Sequence, residues 1–151
     1  MQRSINSVKY LDASELHKML LNKKPAAPFK VVDVRGSDFL GGHIKGCLHF
    51  PYSQLKHDDE YLQELRQALV SNTQPESAST TVPIKCIFHC AMSQQRGPSA
   101  ALLFLRSLTE DEFNSGIFEV YILKGGFIHW VSAGYGTDAK VTEDYLDYLW
   151  Q

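Results

Sequence analysis

The chain has 151 residues, 15 basic against 17 acidic side chains for a formal net charge of −2, and 44% hydrophobic residues, a balance that suits one domain over 1–151 with a real core. It offers no basic face to nucleic acid or an anionic membrane and no apolar run long enough to span a bilayer, so neither partner is expected. Three cysteines are too few, and odd in number, for a disulfide framework, and Met1 to Ser7 lacks the apolar segment of a secretory signal, so a reducing cytosol, with the nucleus also open, is the expected setting.

Val8 to Leu11 reads as a short first strand. Asp12 then stands as an N-cap with Glu15 three places on, and Leu16, Met19 and Leu20 recur at helical spacing until Asn22 and the Pro25 to Pro28 break. Phe29 to Val34 is compact and β-branched, as a central parallel strand requires. Asp33 and Arg35 at its end are read as an ion pair holding a neighbouring loop rather than as catalytic groups. His43 in Gly-Gly-His-Ile is read as locking a turn, and Cys47 to Pro51 as a further strand. Asp58 or Asp59 opens a helix with Tyr61, Leu62, Leu65 and Leu69 inward, and the polar stretch Ser71 to Pro83 is an exposed connection.

Ile84 to Phe88 is mostly apolar and suits a strand covered on both faces. Gly97 permits a sharp turn and Pro98 is pre-set for a first helical position, so a helix follows, apolar nearly all round from Ala100 to Leu108. Thr109 caps a short acidic helix through Phe113, Ile117 to Leu123 supplies another strand, and Lys124-Gly125-Gly126 turns the chain. Phe127 to Ala133 is a helix with Trp130 inward, and Thr142 and Glu143 start a final helix striped by Tyr145, Leu146, Leu149 and Trp150. Strands alternating with helices imply an α/β domain with ligands at the carboxyl ends of the strands.

Cys90 stands at such an end, facing a helix N-terminus. An ordinary thiol is only about 3% thiolate at neutral pH, and the thiolate is the nucleophile. The amides of Ala91, Met92, Ser93, Gln94, Gln95 and Arg96, the positive end of the next helix and the Arg96 guanidinium all favour an anion there, and the same groups fit the oxygens of a phosphate. Cys90 and Arg96 are therefore the expected catalytic residues and Ala91 through Arg96 the expected phosphate cradle. The Ser93 hydroxyl either orients the sulfur or bonds its own backbone. No histidine or cysteine spacing builds a metal site, no cofactor is called for, and Cys47 is read as a small core residue rather than a disulfide partner of Cys90.

His89-Cys90-Ala91-Met92-Ser93-Gln94-Gln95-Arg96-Gly97-Pro98 resembles the active-site loop of M-phase inducer phosphatases, the CDC twenty-five type, built on a rhodanese fold. Val32-Asp33-Val34-Arg35 with Gly41 to Gly46, and Ile122 to Phe127, match two further stretches of that family in the same order. The resemblance implies a mainly parallel five-stranded sheet with helices on both faces, and a dual-specificity type of hydrolysis, of phosphotyrosine and also of phosphoserine or phosphothreonine esters, through a phosphocysteine, by a monomer acting on a phosphoprotein or small oxyanion. Ala91 and Gln95 stand where the family has glutamates, so the loop brings no proton donor; either Asp38 or Asp58 supplies one from elsewhere in the chain, or the substrate brings its own proton. Val34 replaces a cysteine that protects the family's nucleophile as a disulfide, which removes that rescue. Fungal arsenate reductases share the scaffold and loop length, so arsenate reduction with an external thiol is the second reading, and a phosphate-binding module without catalysis the third.

Overall fold

In the computed structural model, which describes residues 3–22, 28–73 and 83–150, the two apolar runs expected as buried strands lie side by side. β2 (Phe29–Asp33) runs parallel to β5 (Ile84–His89), with Phe29 opposite Lys85 and Asp33 opposite His89. β6 (Phe118–Leu123) pairs with the other edge of β5, β1 (Lys9–Leu11) with β6, and the two-residue β4 (Leu48–His49) with β2. The order is β1-β6-β5-β2-β4 and every pairing is parallel, the five-stranded α/β sheet that the sequence implies. β5, which leads to Cys90, is its central strand.

Alternation along the strands sends successive side chains to opposite faces. Val32, Cys86 and Phe88 meet α2 (Tyr52–Leu55), α3 (Asp59–Thr73) and α4 (Arg96–Ser107) through Leu55, Leu65, Leu69, Ala101 and Phe104. Val31 and Ile87 turn to the other face, where α1 (Ala13–Leu21) and α6 (Gly126–Ser132) supply Leu16, Phe127 and Trp130. Phe104 sits edge-on to Phe118 at 5.3 Å and tilted against Phe88 at 5.6 Å. Burying a ring of this size contributes about 2–3 kcal/mol, and here it fixes α4 against the strand that carries the nucleophile.

Local signals set some element ends. Thr109 caps α5 (Glu110–Ser115) reciprocally, accepting from the Glu112 amide at 3.1 Å while the Glu112 carboxylate accepts from the Thr109 amide at 2.9 Å. Asp12 is the N-cap of α1 but its side chain makes no capping bond, so the expected box with Glu15 is absent. The strand expected over Cys47 to Pro51 shrinks to β4, and α4 begins at Arg96, two residues before Pro98. Most of the connection expected over Ser71 to Pro83, and the Pro25 end of the earlier break, lie outside the described residues.

The final helix is a misreading. Thr142–Glu143 forms β7 instead, antiparallel to β3 (His43–Ile44), and a single 3-10 turn follows over Asp147–Trp150. Thr142 is drawn away by side-chain bonds: its hydroxyl accepts from Trp130 Nε1 at 2.8 Å and donates to the Tyr135 carbonyl at 2.7 Å. Asp144, at φ 57°, then breaks any right-handed continuation. Of the expected stripe, Trp150 packs on Phe127 and donates to the Gly41 carbonyl, whereas Leu146 and Leu149 are exposed.

Arg3 closes the far end of α4. Its Nη1 donates to the carbonyls of Leu105, Arg106 and Leu108 at 3.3, 3.2 and 2.5 Å, and its guanidinium lies 4.7 Å from the Phe113 ring. A cation on the carbonyls at a helix C-terminus is favourable through both hydrogen bonding and the helix dipole. Arg3→Ala is expected to lower folding stability by about 1–2 kcal/mol, read as a shift in the urea midpoint at unchanged slope.

Candidate active site

Cys90 leaves β5 with its backbone gripped from several sides. The Cys90 carbonyl accepts from the Phe127 amide at 3.0 Å and from His89 Nδ1 at 3.0 Å, and the Ala91 carbonyl accepts from the Ile128 amide at 2.9 Å. These bonds bring the start of α6 onto the loop so closely that a Cβ on Gly126 would stand 2.5 Å from the Ala91 oxygen and 2.6 Å from the Cys90 oxygen. Gly97 serves a similar end. It makes no sharp turn, contrary to expectation, but a Cβ there would lie 3.3 Å from the Cys90 nitrogen and 3.5 Å from Sγ, so glycine lets the first turn of α4 approach the sulfur.

The loop itself curls around the sulfur. The Ser93 amide donates to Cys90 Sγ at 3.2 Å and the Ser93 hydroxyl accepts from the Cys90 amide at 3.4 Å, with Ser93 buried and in the left-handed region at φ 55°. Among the described residues, the amides of Ala91, Met92, Gln94, Gln95 and Arg96 have no protein acceptor. Together with Cys90 these five residues line a cavity of about 300 Å³. Five of the six expected phosphate-binding residues thus border one space. Ser93 is the exception: it does not line the cavity, and its amide and hydroxyl are both spent on Cys90.

Arg96 borders that cavity and is held on its other side. Its Nη1 and Nη2 donate to Asp38 Oδ1 and Oδ2 at 2.9 and 2.6 Å, a bidentate pair of partly exposed groups. That hydrogen bonding pulls the Asp38 carboxyl below the ordinary aspartate range and raises the arginine further. Asp38 is therefore ionised at neutral pH and is not the proton donor the sequence suggested. Asp58 caps α3, its Oδ1 accepting from the Tyr61 amide at 3.1 Å, and it does not line the cavity.

Beneath the loop lies a buried ionic cluster. Arg35 is fully buried and forks onto Asp33 at 2.7 to 3.0 Å, while also donating to the carbonyls of Gly42 at 2.8 Å and Asp38 at 3.0 Å. Its guanidinium is 4.3 Å from the Phe127 ring. Burial works against ionising Asp33, and a protonated His89 would oppose it, but with His89 neutral it is the Arg35 side-chain hydrogen bonds and charge, with its backbone amide, that hold the carboxyl down. Burial pushes the His89 imidazole down too, which keeps it neutral, so its Nδ1 carries the proton given to the Cys90 carbonyl. Its Nε2 then has no hydrogen-bond partner, 3.5 Å from Asp33 Oδ2. Asp33 and Arg35 hold the Asp38 and Gly42 loops, which is the structural role expected of them.

Cys47 packs with Leu16 and Trp130 on one face of the sheet, while Cys90 belongs to the core on the other, so the two do not pair. Burial pushes the Cys47 thiol up to about 12 and the Cys86 thiol higher still, which leaves both unreactive. Among the described residues no group of His, Cys, Asp and Glu can hold a metal ion, and no helix is long and apolar enough to cross a membrane. Two relations were invisible in the spacing: Asp38 on Arg96, and Gly126 against the Cys90 loop. Lys124-Gly125-Gly126 shows a turn, but nothing local shows what it must pack against.

The rhodanese-like domain family model matches residues 12–133. The chain is 48% identical to the CDC25-like phosphatase YCH1 of Saccharomyces cerevisiae over 98% of this chain and 97% of that one. It is 32% identical to Arsenical-resistance protein 2 of the same yeast over 82% of this chain and 88% of that one. A solved structure of Ygr203w, described as a yeast protein tyrosine phosphatase of the rhodanese family, superposes with a TM-score of 0.84 at 45% identity, covering 98% of this chain and all of that one. A parallel sheet with a cysteine loop at the end of its central strand, matched in sequence over nearly its whole length, means that the chain belongs to the rhodanese-like domain family, among its CDC25-like phosphatases.

Proposed function

We propose that the chain hydrolyses phosphotyrosine esters through a phosphocysteine on Cys90. The observation that carries this reading is the set of unpaired loop amides bordering one cavity with Cys90 and Arg96. Sγ attacks phosphorus as the S–P bond forms and the bond to the ester oxygen breaks; water then attacks phosphorus, the S–P bond breaks, and phosphate leaves with the sulfur regenerated. The loop amides and Arg96 hold the equatorial oxygens while charge shifts between entering and leaving atoms.

With Asp38 and Asp58 both engaged, the leaving group is best one that needs little protonation. A tyrosine phenol has a pKa near 10, far below an alkyl alcohol, so phosphoserine and phosphothreonine are expected to be much poorer substrates. Arsenate reduction is a second reading, supported by a cradle that fits any tetrahedral oxyanion and by the resemblance to Arsenical-resistance protein 2.

One comparison separates these readings: turnover of an aryl phosphate, a phosphotyrosine peptide, a phosphoserine peptide and arsenate, with and without glutathione, by the parent and Cys90→Ser. Hydrolysis of the two aryl esters, lost in Cys90→Ser and independent of glutathione, is the expected result. Conversion of arsenate that depends on thiol, without ester turnover, would replace it with the second reading. Phosphopeptide binding with no turnover and no phosphocysteine would leave only a binding module.

A further inference from the structure

We propose that Asp38 is a positioning residue, fixing the Arg96 guanidinium in the orientation that receives an oxyanion above Cys90. The proposal rests on the reading of this loop as an anion site. A guanidinium has two edges that can each offer a parallel pair of N–H bonds, one formed by Nη1 and Nη2 and one that includes Nε. Asp38 takes the first edge with both oxygens, at 2.9 and 2.6 Å. Arg96 Nε has no protein partner among the described residues, so the second edge stays open.

The placement of the two groups supports holding rather than competition. Arg96 lines the cavity beside Cys90 whereas Asp38 does not, so the carboxylate grips the arginine from outside the space an anion fills. Asp38 is itself anchored, since its carbonyl accepts from Arg35 Nη1 at 3.0 Å, and Arg35 is buried and forked onto Asp33. A line of rigid contacts thus runs from the end of β2 through Arg35 and Asp38 to the rim of the cradle. Arginine has much rotamer freedom to lose on binding, and a side chain already fixed before the anion arrives loses less.

The test uses Cys90→Ser protein, so that binding is read without chemistry. In the anion-free state the Arg96 Nε–H NMR signal is expected to be sharp, and broadened when Asp38→Ala is added. Inorganic phosphate, titrated calorimetrically, is expected to bind about 10-fold more weakly in Asp38→Ala, with near-parent affinity restored by Asp38→Glu. In an Arg96→Ala background Asp38→Ala is expected to add no further loss, which a general structural defect would not reproduce. An Arg96 signal indifferent to Asp38, unchanged phosphate affinity, or no phosphate binding even with Asp38 present would overturn the proposal. Tighter binding in Asp38→Ala would overturn it too, by showing that Asp38 competes with the anion. If phosphate binding depends on Asp38 but the parent hydrolyses no ester, the phosphatase reading fails and this one stands.

Discussion

Arg35→Met is expected to cost about 3–5 kcal/mol of folding stability at neutral pH. Methionine roughly fills the space, so the loss is electrostatic: Asp33 is left fully buried and ionised without the fork that satisfied both of its oxygens at 2.7 to 3.0 Å. The carbonyls of Asp38 and Gly42 lose their donor in the same change. Removing both charges, in Asp33→Asn with Arg35→Met, is expected to recover part of the loss because no uncompensated ion remains.

The pH dependence gives this prediction a sign. In the parent the folded-state pKa of Asp33 is lowered, so its contribution is present above the unfolded value of about 3.9 and fades as pH falls through the folded value. In Arg35→Met the side-chain charge and fork are lost, while the residue-35 amide at 3.0 Å and His89 at 3.5 Å remain, so burial raises the Asp33 pKa relative to the parent and the penalty grows as pH rises above about 4. The stability gap between parent and variant therefore narrows in acid and widens toward neutrality. Urea unfolding of both proteins between pH 4 and 7 measures this, and a gap that stays constant across the range would show that Asp33 is not the group left unpaired.

Where sequence reasoning succeeded, the signal was local. The apolar run before Cys90 made a strand, a helix follows the loop although it starts two residues before Pro98, and five residues between nucleophile and arginine set a loop that closes on one cavity. Thr109 with Glu112 was equally readable, because a capping box spans four residues. It failed where distant groups decide. Thr142 and Glu143 carry a helix-start pattern, yet Thr142 is bound to Trp130 and Tyr135, and its strand pairs with His43 and Ile44 about 100 residues earlier in the chain. Asp38 is a candidate acid in the sequence only because the cysteine loop brings none; only the fold brings Arg96, 58 residues away, onto both of its oxygens.

Gly126→Ala is expected to lower ester turnover by about 100-fold or more and to destabilise the domain as well. Gly126 has φ 64°, a region that costs a side-chain-bearing residue about 1–2 kcal/mol. The larger effect is steric: the new Cβ would meet the backbone of Cys90 and Ala91 at 2.5 to 2.7 Å, and backbone cannot swing aside as a flexible side chain can. Either α6 or the cysteine loop must move, and the amides of Phe127 and Ile128 lose their bonds to the Cys90 and Ala91 carbonyls. Gly116→Ala is the matching control, since Gly116 has φ 70° with nothing within 4 Å of its Cβ position, and it isolates the backbone strain from the clash. Gly116→Ala should lose about 1–2 kcal/mol and keep its turnover, whereas Gly126→Ala loses both. Equal kinetics in the two variants would mean that the contact between α6 and the loop does not set the position of the sulfur.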